Sequence, residues 1–278
     1  MTVEKITEMM KDFLMGPFYE LGSGIWNFLM SLVCGVMTTT PQDFSGSTWN
    51  YVSTQLYPWT LGIGLVLLNL FFLIGFFKQT ANIKENMTTE ILVSLCVKVV
   101  VANVLMNLGI EFMQQLFNMA AGLSGQVFSE PPSYSTGEVT MGTWVFFNGL
   151  YGMIYMIVAA VCGMTIFLAV YGRYIKLYFA VVTGPLALPT LAGGMGIENT
   201  AHAWLKTFLS YTFELLAIAL LISLAGKVIS GIDWGRLDGS VGFLFNGATS
   251  SVQSMFTMVI LAGTVKGADT LMRRMFAL

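Results

Sequence analysis

The sequence is short of charge. Asp, Glu, Lys and Arg make up 10% of its 278 residues, against about a quarter in soluble globular domains, and the mean hydropathy is +0.73. A water-soluble fold with so little polar surface is excluded, and an integral membrane protein is expected. With 13 basic and 15 acidic residues the formal charge is −2, which leaves no basic footprint for nucleic acid over the chain as a whole. Cysteine is scarce too. Cys34, Cys96 and Cys162 are odd in number and lie in apolar runs, so free buried thiols are expected rather than a disulfide framework. The single histidine, His202, has no ligand partners at metal-binding spacing, so it is expected at the surface or in a hydrogen bond. Nucleophile–base pairs and phosphate-cradling glycine motifs are also missing, which makes an enzyme the least expected class and implies no cofactor. The first twelve residues carry Glu4, Lys5, Glu8, Lys11 and Asp12 and read as a retained amphipathic helix, not a secretory signal.

What the chain has is a series of apolar runs near the roughly 20 residues that a helix needs to cross about 30 Å of hydrocarbon. Alternating ten-residue segments of the barrel type are not seen. The fold class is therefore all-α and polytopic: five to six transmembrane helices plus a Pro/Gly-broken re-entrant element, in one membrane domain over 1–278. Within it, 1–37 reads as an N-terminal amphipathic or spanning helix, with Phe13, Phe18, Trp26 and Phe28 as interfacial anchors if it lies flat. The polar stretch Thr38 to Tyr57 reads as a loop. A first helix pair covers 58–112, from the uncharged run Pro58 to Phe77 to a span from Ile91 to Phe112. An external loop covers 113–140, whose first residues can continue as a half-buried helix. A core covers 141–278, with a long span from Met141 to Gly172, the broken segment 177–196, and two C-terminal spans at Thr207 to Ile229 and Phe243 to Val265.

The broken segment follows a short cationic patch, Arg173 and Lys176, where the chain is expected to turn. Gly184-Pro185-Leu186-Ala187-Leu188-Pro189 then interrupts the next apolar run. Pro185 lacks an amide hydrogen and disfavours helix at Gly184, and Pro189 repeats the effect. Irregular backbone at membrane depth needs protein or water around it. The positive-inside rule decides the threading. If the segment dips in and returns, Lys78, Lys84, Arg173, Lys176, Lys206, Lys266, Arg273 and Arg274 share the cytoplasmic side with the C-terminus, and only Lys227 and Arg236 lie outside. Ionisable groups within spans are expensive, so Lys98, Glu111 and Glu214 are candidates for a pore, for contacts between chains, or for internal pairing such as Lys98 with Glu214; Lys98 can also snorkel toward the interface. Ala159 and Gly163 form a small-xxx-small pair for close helix contact.

The Arg173-x-x-Lys176 patch, the Gly-Pro-Leu-Ala-Leu-Pro run, the glycine-rich connector and Ala203-Trp204-Leu205-Lys206 together resemble the TrbL-like polytopic inner-membrane proteins of type IV secretion and conjugation machines. The likeness covers about Tyr171 to Gly226, with Pro185 and Trp204 as the matching positions, and is nearest the short versions of Gram-positive conjugative elements. The resemblance implies a non-enzymatic channel or scaffold in the bacterial cytoplasmic membrane. It implies a homo-oligomeric ring of about five copies, contacts with the secretion ATPase, other membrane subunits and membrane lipids, and passage of DNA or protein. Two other readings stay open: a secondary transporter with a substrate site at 177–191, and a structural anchor for another complex.

Overall fold

The computed structural model describes residues 16–81, 89–127, 145–194, 196–231 and 249–276. The expected amphipathic start, the turn around Lys84, the Pro131-Pro132 loop and the loop around Arg236 lie outside them. Among the described residues all regular structure is helical, in the order α1 (Gly16–Met37), α2 (Pro41–Phe44), α3 (Gly46–Tyr51), a π turn (Val52–Leu56), α4 (Tyr57–Ala81), α5 (Thr89–Asn107), α6 (Gly109–Val127), α7 (Val145–Ala187), a 3-10 segment (Leu188–Gly193), α8 (Asn199–Ser230) and α9 (Thr249–Met275). Five helical stretches are long and apolar enough to cross a membrane, or six if the bent pair α5–α6 is one span. The protein is an all-helical, multi-pass membrane protein.

The contacts divide into two compact units, each built from three chain segments: residues 1–38, 124–171 and 216–269, and residues 39–123, 172–215 and 270–278. Both α7 and α8 contribute to each. In the first unit α1 packs on the first half of α7. Trp26, Met30, Val33 and Met37 recur at helical spacing and are buried, so Trp26 is a core residue and not the interfacial anchor expected of it if the segment lay flat. Phe28, by contrast, is exposed. Gly163 of the small-residue pair faces Leu29 and Trp26, Ala159 is buried, and the rings of Tyr19 and Tyr155 meet at 5.3 Å.

In the second unit the polar stretch expected as a loop is mostly helical. The Ser/Thr chemistry that suggested turns is used as helix caps: Thr40 and Ser45 accept from the backbone N–H groups of Asp43 and Thr48, and Pro41 occupies a first-turn position where its missing N–H is harmless. The span expected over Ile91 to Phe112 ends at Asn107, and α6 leaves at 65°, running into the stretch expected as a loop from 113. Tyr57 explains the bend locally. Its hydroxyl donates to the Met106 carbonyl at 2.6 Å, diverting an acceptor from the helix ladder, and sits 2.6 Å from where a Cβ on Gly109 would be. Cys96 on α5 is exposed, contrary to the expectation for all three thiols.

Two further expectations fail at the charged ends. The last span, expected to end at Val265, belongs to a helix that runs on to Met275, so Lys266, Arg273 and Arg274 lie on α9. Nor does the chain turn at Arg173 and Lys176, because α7 is continuous for 43 residues and carries Pro185 inside it. At 1.5 Å per residue that is about 65 Å, roughly twice the hydrocarbon thickness. Pro185 is tolerated because it stands in the last turn, where its missing N–H removes one bond. Gly184 also offers no Cβ to clash with the proline ring. The interruption comes later, at Leu188–Gly193.

Candidate functional site

The candidate site lies at the tip of a hairpin in the second unit. Moving along α8, Trp204 meets Gly184, Tyr211 meets Lys176 and Glu214 meets Arg173. The partner number falls as the residue number rises, so residues 199–215 of α8 run antiparallel to residues 172–187 of α7. The broken segment is the tip that joins them. Gly194 and Gly196 carry φ values of 74° and 94°, a region that glycine enters without penalty, and this lets the chain reverse within a few residues.

The tip is enclosed by its own chain. Leu188, Pro189, Thr190, Ala192 and Gly193 are buried, and Leu188 and Ala192 share a core with Leu68 of α4 and Ala102 and Met106 of α5. Two glycines of α4, three helical turns apart, let backbone lie directly on backbone. A Cβ on Gly64 would run into the Pro185 carbonyl oxygen, and one on Gly75 would lie 2.6 Å from that of Ala192. The shielding that irregular backbone needs in a membrane is thus supplied within one protomer, so the break does not by itself call for neighbouring chains.

Trp204 locks the hairpin. Its indole N–H donates to the Ala180 carbonyl at 3.1 Å, and its ring stacks on Phe208 with centroids 5.4 Å apart. Its edge lies against Gly184, where a Cβ would come within 2.9 Å. Gly184, the residue before Pro185, is thus the gap that the indole fills.

Both ionisable candidates expected to pair do so, with partners other than each other. Lys98 Nζ lies 2.6 Å from Glu198 Oε2, tying α5 to the turn just after the tip. The two side chains are 41% and 27% exposed, so the chain itself does not enclose this bridge. Arg173 Nε lies 3.8 Å from Glu214 Oε2, with 0% and 6% exposure. Such a pair sits where desolvation is severe and the Coulomb attraction is correspondingly strong. Lys176 is exposed on α7, its ammonium 5.6 Å from the centre of the Tyr211 ring. Glu111 joins none of these contacts. It is exposed in the first turn of α6, where a carboxylate complements the helix dipole. His202 is exposed on α8.

Four contributors were not expected from the sequence. Glu198 is the only charged residue between Lys176 and Lys206, a signal that was available. Gly64 and Gly75 fall eleven positions apart, hence on one helix face. Tyr57 gave no signal, because its partner is a backbone carbonyl far along the chain. Comparison with protein-family models, with curated proteins and with solved structures finds no match.

Proposed function

We propose that this protein is a non-enzymatic channel or scaffold subunit of a type IV secretion machine. In this reading it acts as a homo-oligomer in the bacterial cytoplasmic membrane, C-terminus inside, and contacts the secretion ATPase and other membrane subunits while DNA or protein passes. The observation that supports the reading is the packing of Trp204 on Gly184, the residue before Pro185. Of the two positions on which the family resemblance rests, Trp204 closes the hairpin, and Pro185 stands beside its tip with its carbonyl against Gly64 of α4. Two long helices joined at a buried tip give a rigid strut of the kind a scaffold needs.

The test is transfer frequency in a bacterium that carries the element. Trp204→Ala is expected to lower transfer at least tenfold with the protein still at normal level in the membrane, and Trp204→Phe, which keeps stacking but removes the indole N–H, to lie between. Full transfer by Trp204→Ala at normal protein level would refute the reading, as would a strictly monomeric mass in mild detergent.

The second break, the 65° bend at Leu108, favours one other reading. Paired interruptions are a mark of secondary transporters, and Lys98 with Glu198 would then be the ion-coupling pair. Lys98→Met separates the two. In a scaffold it removes a single bridge between α5 and the turn after the tip, and transfer persists. In a transporter it abolishes ion-driven flux in proteoliposomes.

A further inference from the structure

Two cations of the second unit converge on one phenol. Lys176 of α7 places its ammonium 5.6 Å from the centre of the Tyr211 ring, and Arg273, near the end of α9, places its guanidinium 5.8 Å from the same centre. Both distances lie within the range of cation–π attraction. Arg273 Nη2 also donates to the Tyr211 hydroxyl at 3.3 Å. The phenol oxygen accepts there, which leaves its own O–H to be donated elsewhere. Lys176 and Arg273 are both exposed, so an ammonium, a guanidinium and a phenol lie together at the surface of this unit.

The surroundings specify what fits. The neighbours of Lys176 on its own helix, Ile175 at 72% and Phe179 at 67%, are large, apolar and exposed. Arg273 also comes at the end of a candidate span, Val252–Met275, the position at which a basic side chain reaches the headgroup layer. A ligand suited to this place has a negative headgroup that accepts charge-assisted hydrogen bonds and acyl chains that cover apolar side chains. A soluble anion would use only the first feature, and a zwitterionic lipid brings a cation that the site repels.

We propose that Lys176, Tyr211 and Arg273 form a headgroup site for an acidic phospholipid, recognised through its phosphodiester. The site does not depend on the protein being a secretion subunit.

The test uses the full chain, purified and delipidated in a neutral detergent, with phosphatidylglycerol and phosphatidylcholine of the same acyl chains as probes. In native mass spectrometry of the wild-type protein, phosphatidylglycerol is expected to remain bound at least tenfold more than phosphatidylcholine, and to raise the melting temperature where phosphatidylcholine does not. The double variant Lys176→Gln/Arg273→Gln is expected to lose that preference, and Tyr211→Phe to weaken it. Equal retention of the two lipids by the wild-type protein would overturn the proposal without reference to any variant. So would an undiminished preference in a folded double variant. A thermal shift reproduced by inorganic phosphate alone would show a simple anion site and overturn the assignment to lipid.

Discussion

Glu214→Leu is expected to be the most damaging single substitution in the chain. It removes a carboxylate 3.8 Å from a guanidinium that is 0% exposed, and the buried arginine keeps its charge, since it stays protonated under all ordinary conditions. Breaking a buried pair in this way costs about 3–5 kcal/mol, a large fraction of the stability of most folded proteins. The expected readouts are a sharp fall in folded protein in the membrane and a lower melting temperature in detergent. The companion result gives the test its force. Arg173→Met/Glu214→Leu, which removes both charges and keeps roughly the same volume, is expected to recover most of the loss, because the penalty comes from a buried charge that has lost compensation and not from the missing attraction. A double variant as unstable as the single one would show that the pair holds the hairpin by more than charge balance.

The second large effect is expected on α4. Gly64→Ala pushes a methyl group into the Pro185 carbonyl oxygen. Neither side can yield by rotating a side chain, since both walls are backbone. Overpacking a core costs about 1–3 kcal/mol where side chains can shift, and the upper end or more is expected here. Gly62→Ala is the control two residues away. Nothing lies within 4 Å of its Cβ position, so the substitution is expected to be neutral or to gain up to about 1 kcal/mol from better helix propensity. If the two alanine variants melt alike in detergent, the close approach of α4 to the hairpin tip is wrong.

The two predictions bear on different joints of one construction. Arg173 and Glu214 tie α7 to α8 deep in the hairpin, and Gly64 and Gly75 seat its tip against a neighbouring span. Trp204 closes the interval between them. A rigid hairpin seated on membrane helices is consistent with a part that transmits or resists force in an assembly, and the transfer assay on Trp204 tests that use directly.

Much of this was legible from residue order. An uncharged apolar run such as Pro58 to Phe77 has one low-energy state in a bilayer, a helix, because hydrocarbon offers no partner to an unpaired peptide group. That the apolar run is interrupted ahead of Trp204 was also legible, from its prolines and glycines. The place of the break was not. Proline predicts the lost amide, but Gly184 removes part of the steric clash that would have ended the helix, so α7 continues through Pro185 to Ala187.

By itself, then, the sequence determined an all-helical, multi-pass membrane protein with an interrupted apolar segment ahead of Trp204, since hydropathy and backbone hydrogen bonding act locally and leave few alternatives. Only the tertiary structure decided the partners. Lys98 pairs with Glu198 and not with Glu214, Arg173 is buried and not a surface turn, and the break is covered by α4 and α5 of the same chain. Each of these depends on which helix faces meet across long separations in the chain, and residue order alone does not carry that information.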